Sequence, residues 1–336
     1  MGTTGRMSLI VVFTVLGNLQ GQTPSPSSLE LARKISLPNV QGRIDHMAID
    51  AKGKRLFVAC LGNNTVEVVD LKAGKRVHTI SGIAEPQGVL FLPEYNRTYI
   101  TSGGTGECSI FNGQTLQFID KIKFSDNADN IRYDPSTGRI YVGYGPGGIG
   151  VIDAGTGELI GDIKLLGHPE AFVIDKDSGN IFVNVPAAKQ IEVVDSRQQK
   201  IRGIRPLKVE GNYPIALDSA SHRLFVASRK PARLLVFDAR SVKLVRELNI
   251  DGMADDIFYD AARKRIYVSC GAGFIDVVEP RDTPDYVLVE KVPTAAGART
   301  SLFVPESATL YLAVPAGKDH GAAIYVYGTK GDQIKP

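Results

Sequence analysis

The chain has 336 residues, 43% of them hydrophobic and 22% charged, a balance that excludes intrinsic disorder and collagen-like architecture. Lysine and arginine number 39 against 36 aspartates and glutamates, so there is no broad basic field of the kind that drives nucleic-acid binding, and such a partner is not expected. Three cysteines cannot staple a chain of this length, so burial has to hold the fold.

Residues 1–21 carry one charge, Arg6, then a mostly apolar run from Leu9 to Leu16 and a small, polar stretch ending at Gly21. This is the pattern of a signal peptide and predicts a periplasmic or secreted protein. The run falls short of the roughly 20 residues that cross a bilayer, and no later stretch reaches that length, so no transmembrane segment is expected in the mature protein. Residues 22–28, rich in Pro and Ser, read as a linker, and residues 29–336 as one folded unit.

From there the chain repeats itself. The triplets Leu56-Phe57-Val58, Thr98-Tyr99-Ile100, Ile140-Tyr141-Val142, Ile181-Phe182-Val183, Leu224-Phe225-Val226, Ile266-Tyr267-Val268 and Leu310-Tyr311-Leu312 place an aromatic every 41 to 44 residues. Seven residues before five of these aromatics stands an aspartate: Asp50, Asp134, Asp175, Asp218 and Asp260. A third apolar run ends in a short polar or acidic side chain at Asp70, Asn112, Asp153, Asp195, Asp238 and Glu279, and a fourth run follows. Short runs of β-branched and aromatic residues punctuated by Gly, Asn and Asp are strands and turns, and no segment has a sustained helical period.

Period and strand count predict an all-β, seven-bladed β-propeller of four-stranded blades. The blades fall at about 42–83, 84–124, 125–165, 166–208, 209–250, 251–293 and 294–336. The last repeat has only three strands of its own. The segment 31–37 is expected to supply the fourth and close the ring, which removes open sheet edges.

The strings GKRLFVACLGNNTVEVVD (Gly53–Asp70), TGRIYVGYGPGGIGVID (Thr137–Asp153) and HRLFVASRKPARLLVFD (His222–Asp238) resemble the YVTN-type repeat of bacterial YncE-like seven-bladed propellers. The resemblance covers nearly all the chain after the signal peptide. It implies an exported binding or surface protein. Some relatives of that family resemble nucleic-acid binders, and similar propellers elsewhere are lactonases.

Repetition also sorts scaffold from function: a residue type found in most blades belongs to the scaffold, and one found in a single blade is free to act. The pairs Asp50–Arg55, Asp134–Arg139, Asp218–Arg223 and Asp260–Arg265 recur at one spacing and read as turn caps and local ion pairs. Five and four residues before the aspartate position, the side chains differ from blade to blade: Asp45-His46, Gln87-Gly88, Asp129-Asn130, Glu170-Ala171, Tyr213-Pro214, Asp255-Asp256 and Arg299-Thr300. These pairs should ring one mouth of the channel. The loops between second and third strands should add Asn63, Tyr144, Arg229, Lys230, Arg233, Lys318 and His320, with His168 beside Glu170.

Such a funnel is the default ligand site of this architecture. The expected function is non-enzymatic recognition of a small molecule, a peptide or a cell-envelope protein through Asp45, His46, Gln87, Asp129, Asn130, Glu170, Tyr213, Asp255, Asp256 and Arg299. No cofactor is expected. One alternative gathers Asp129, Asn130, Glu170, Asp255 and Asp256 around Ca²⁺ or Mg²⁺, whose preference is for hard oxygen ligands, to support a lactonase or esterase-type hydrolase. A second alternative, nucleic-acid binding, would stack bases on Tyr144 and Tyr213.

Overall fold

The structure is a computed structural model that describes residues 1–2, 27–281 and 285–330. Apart from residues 1–2, the segment expected to be a signal peptide and most of the expected linker lie outside the described residues. What is described forms seven four-stranded antiparallel sheets. Six are built from consecutive strands, beginning with Met47–Asp50, Arg55–Cys60, Thr65–Asp70 and Lys75–Ser81 in blade 1. The innermost strands of blades 2 to 6 are Pro86–Leu92, Ala128–Asp134, Phe172–Asp175, Ile215–Asp218 and Ala254–Asp260. Blade 7 combines Thr300–Val304, Thr309–Val314 and Ala323–Thr329 with the N-terminal strand Leu29–Ser36, which pairs along Ala323–Thr329. The fold class and its closure by the N-terminus are as the repeats predict.

The recurring aromatic explains the repeat. Phe57, Tyr99, Tyr141, Phe182, Phe225, Tyr267 and Tyr311 are all buried, and each belongs to the apolar layers between neighbouring blades. One apolar cluster fills each of the seven blade interfaces, so both faces of the inner strands are covered and the usual in-out alternation of a half-exposed strand is lost. The outermost strand of each blade carries one extra residue, as where Val68 faces His78 but Val69 faces Arg76. Such bulges increase local twist and let a flat sheet follow the curve of its neighbour.

The polar punctuation is mostly turn chemistry, with one correction. Asp70 accepts from the amides of Lys72 and Ala73, Asp153 from Thr156, and Asp195 from Arg197 and Gln198. Of the four aspartate–arginine pairs, only Asp50 and Arg55 meet, at 2.7 Å. Asp134 is satisfied by Ser136 and Thr137, Arg223 turns to Asp238, Asp260 takes Arg263, and Arg265 takes Glu279. A hydroxyl inside the same turn reaches the carboxylate with fewer ordered torsions than the arginine across the strand pair, and Arg263 meets Asp260 from within its own turn. The three cysteines are free and buried, and burial pushes the Cys60 and Cys108 thiols up to about 12.

Candidate functional site

One end of the axial channel widens into a funnel of about 530 Å³. Gln87, Asp129, Glu170, Tyr213, Asp255 and Arg299, each from a different blade, all line it. Asp45, the seventh, lies behind Arg43 and is 1% exposed. In five of the seven blades the next residue lines the channel below, among them His46 and Asp256.

Besides Leu61 and Gly103, three wall residues escaped the sequence reading: Arg43, Glu85 and Asn127. They share a position, two residues before Asp45, Gln87 and Asp129, where His168 stands before Glu170. Stepping the register back by two would have found them. Arg43 is held there by a close backbone approach. The Gly62 amide donates to the Arg43 carbonyl at 2.8 Å, and a Cβ on Gly62 would come within 2.7 Å of the Arg43 nitrogen.

The expected second tier is largely absent. Among Asn63, Tyr144, Arg229, Lys230, Arg233, Lys318 and His320, only Arg229 lines the funnel. Tyr144 turns into the blade interface, stacks on Phe124 at 4.7 Å between ring centroids, and donates to Asp162 at 2.7 Å. His320 stays on an exposed loop. Tyr213 is covered by Arg229, whose guanidinium lies 3.8 Å from the ring centroid. The pair of stacking aromatics is therefore not presented, and two histidines rather than three reach the channel.

The funnel is electrically divided. Blades 2, 3 and 4 contribute Glu85, Asp129 and Glu170, while blades 5, 7 and 1 contribute Arg229, Arg299 and Arg43 around Asp255 of blade 6. Asp255 is paired with Arg229 through Oδ1, has Arg299 Nε 2.8 Å from Oδ2, and has Arg43 at 4.0 Å. Arg43 Nη2 also stands 2.8 Å from Asp45 Oδ2, but neither Asp45 oxygen has an aligned hydrogen-bond donor. Burial holds the Asp45 carboxyl well above the usual carboxylate range, only partly opposed by Arg43.

On the acidic side, His168 Nδ1 donates to the Gly145 carbonyl at 2.5 Å, and its Nε2 faces Asp129 Oδ2 at 3.9 Å. Burial pulls the imidazole down, but Asp129 and the Gly145 carbonyl outweigh it and leave His168 above its ordinary value. Burial and the neighbouring Asp129 push Glu170 up to about 7. Below, Asn130 Nδ2 donates to His46 Nε2 at 3.1 Å, and Ser301 N donates to Asp256 Oδ2 at 2.7 Å. Burial and then Arg132 depress His46 to about 4, and burial raises Asp256 to about 8 against the Ser301 amide.

These shifts predict a pH dependence. A carboxyl whose folded value lies above its unfolded one binds its proton more tightly when folded. Its contribution is therefore full below the unfolded value and declines as pH rises to the folded value. Glu170 should destabilise the fold progressively between its unfolded value and about pH 7. Glu170→Gln should be near-neutral at pH 4.5 and stabilising by about 1–2 kcal/mol at pH 8, after discounting for partial exposure. Thermal melts of both proteins across that range check it; a parallel offset at all pH values would refute the assignment.

Among the described residues no group of three or more His, Cys, Asp or Glu side chains is placed to hold a metal ion. Asp255, one of the five candidate oxygen ligands, is instead engaged by arginines.

No model of a known protein family matches this chain, and no curated protein matches it. Among solved structures it is similar to a chain of Kuenenia stuttgartiensis hydrazine synthase, with 17% identity and a TM-score of 0.75 over 94% of this chain and 100% of that one. It is also similar to a chain in the crystal structure of the mitotic checkpoint complex, with 11% identity and a TM-score of 0.77 over 97% of this chain and 100% of that one. At such identities the likeness shows the β-propeller fold alone.

Proposed function

We propose that the protein is a non-enzymatic binding module of the cell exterior whose funnel takes a small dipolar ligand, a free zwitterion or the end of a peptide. The separation of charge across the funnel carries this reading. A ligand's cationic group fits the side formed by Glu85, Asp129 and Glu170, and its anionic group fits the side formed by Arg43, Arg229 and Arg299. The groups stand on strand ends and tight loops of seven rigid blades, so little ordering is left to oppose binding. The fold is compatible with this role, since propellers commonly serve recognition.

Differential scanning fluorimetry with free amino acids and short peptides, beside simple amines and simple carboxylates, tests the reading. A zwitterion at about 100 times its Kd should stabilise the protein by about 2.7 kcal/mol, and singly charged controls much less. Arg299→Gln and Glu170→Gln should each weaken binding about tenfold, the scale of one charge-assisted hydrogen bond. If no zwitterion shifts the melt, or if both variants bind as the parent does, the reading fails.

A further inference from the structure

Below the funnel the axial channel continues into a second cavity of about 520 Å³, lined by the innermost strands of all seven blades. Its walls are mostly aliphatic and aromatic side chains, with His46, Arg132, Asp256 and Ser301 among them. Leu90, Phe91, Val173, Phe258 and Leu302 keep partial exposure although they stand at the molecular axis, so the cavity is open to solvent.

One residue breaks the pattern. The position that pairs with the repeat aromatic on the innermost strand is Ala48, Leu90, Val173, Ala216, Phe258 and Leu302 in six blades, and Arg132 in blade 3. By the rule that a residue type confined to one blade is not scaffold, Arg132 asks for a reason. Its Nη1 donates to the neighbouring Ile131 carbonyl at 2.8 Å, and its guanidinium stands 5.9 Å from the Phe172 ring centroid. Among the described residues no carboxylate lies within the 4.0 Å of an ion pair. A guanidinium has five N–H donors, and with one of them on the Ile131 carbonyl and the side chain half-buried at an open cavity, the others are left to water or to a ligand. Burial lowers its affinity for its own proton, opposed by the more distant Asp256 and Asp129 carboxyls.

The other ionisable or hydroxyl-bearing side chains that line this cavity are His46, Asp256, Ser301, Tyr133 and Tyr259. His46 is depressed to about 4 and Asp256 raised to about 8, and Arg132 is the one Lys or Arg side chain among the residues lining this largely apolar tube. That combination matches one anionic head with one apolar body, and excludes polyanions, whose further charges would meet hydrocarbon.

We propose that the lower cavity is a second binding site, for a free monocarboxylate with an apolar tail: the carboxylate pairs with the Arg132 guanidinium and the tail lies against Leu90, Phe91, Val173, Phe258 and Leu302. The site is separate from the funnel and does not depend on what the funnel binds.

Isothermal titration of the full-length protein with sodium octanoate, below its micelle concentration, tests this, with octan-1-ol as the uncharged counterpart. Octanoate should bind one site saturably. Arg132→Met should weaken octanoate about tenfold or more while leaving octan-1-ol binding unchanged or improved. Val173→Trp, which fills the tube without touching the charge, should weaken both. Absence of saturable octanoate binding overturns the proposal, as does an octanoate affinity unchanged in Arg132→Met or in Val173→Trp. If Arg132→Met fails to fold, Arg132→Lys keeps the charge but loses the two-pronged contact, and must still bind octanoate more weakly than the parent; equal affinity there also overturns it.

Discussion

Removing residues 29–38 should abolish folding rather than trim a tail. The strand Leu29–Ser36 is the outer strand of blade 7, and it pairs with Ala323–Thr329 from Leu29 opposite Thr329 to Ser36 opposite Ala323. Leu29, Ile35 and Leu37 are 2%, 1% and 1% exposed. Each is worth roughly 1.5–3 kcal/mol of apolar burial, so their loss alone takes a large share of the roughly 5–15 kcal/mol that stabilises a typical protein. The deletion also opens the edge of Ala323–Thr329 and uncovers the interface between blades 7 and 1, where Ile35 and Leu37 pack with Ile324 and Val326. The truncated chain should be found in the insoluble fraction or lack a cooperative urea transition. A soluble truncated protein with the parent's urea midpoint would show that the ring stands without its N-terminal strand.

Asp255→Ala should be the most costly single change in the funnel. Asp255 keeps 9% side-chain exposure, and Arg229 and Arg299 keep 22% and 21%, so the cluster is largely out of water. Removing the carboxylate leaves Arg43, Arg229 and Arg299 facing one another. Breaking a buried pair by deleting one partner costs about 3–5 kcal/mol, and the partial exposure of the arginines puts the expectation near about 3 kcal/mol. For a chain of this size that is a fall of about 4–5 °C in Tm at low salt, shrinking as salt screens the arginines. Adding Arg299→Gln should recover part of the loss, because one of the like charges is gone. Carboxylates that merely awaited a metal would lose no stability on substitution, so an unchanged Tm in Asp255→Ala would reopen the oxygen-ligand reading of this residue.

Asp255 shows where reading along the chain stopped. Its place on the funnel followed from counting back five residues from Asp260, a count that works because each blade meets the axis at the same register. Its partners did not follow. Arg229, Arg299 and Arg43 come from three other blades, and nothing in the spacing says that they converge on one carboxylate rather than spread around the rim. Tyr144 failed for the complementary reason: at the end of a second strand, one step of alternation decides between the funnel and the blade interface, and packing against Phe124 decided it.

The buried carboxylates Glu67, Glu192 and Asp276, in the third strands of blades 1, 4 and 6, were invisible to the same reading. Glu192 accepts from the Leu166 amide and Asp276 from the Asp251 amide, contacts with loops 26 and 25 residues away that no local pattern encodes.

By itself the sequence determined the all-β class, the seven blades and the closure by the N-terminal strand. Those properties rest on local strand propensity and on a buried aromatic repeated at one spacing, and both are written in the chain. Only the tertiary structure decided the charge separation across the funnel, the arginine cage around Asp255 and the isolation of Arg132. Each depends on which side chains from distant blades come within a few ångströms in a partly buried channel, where Coulomb attraction and the cost of an unpaired charge both exceed those at the open surface.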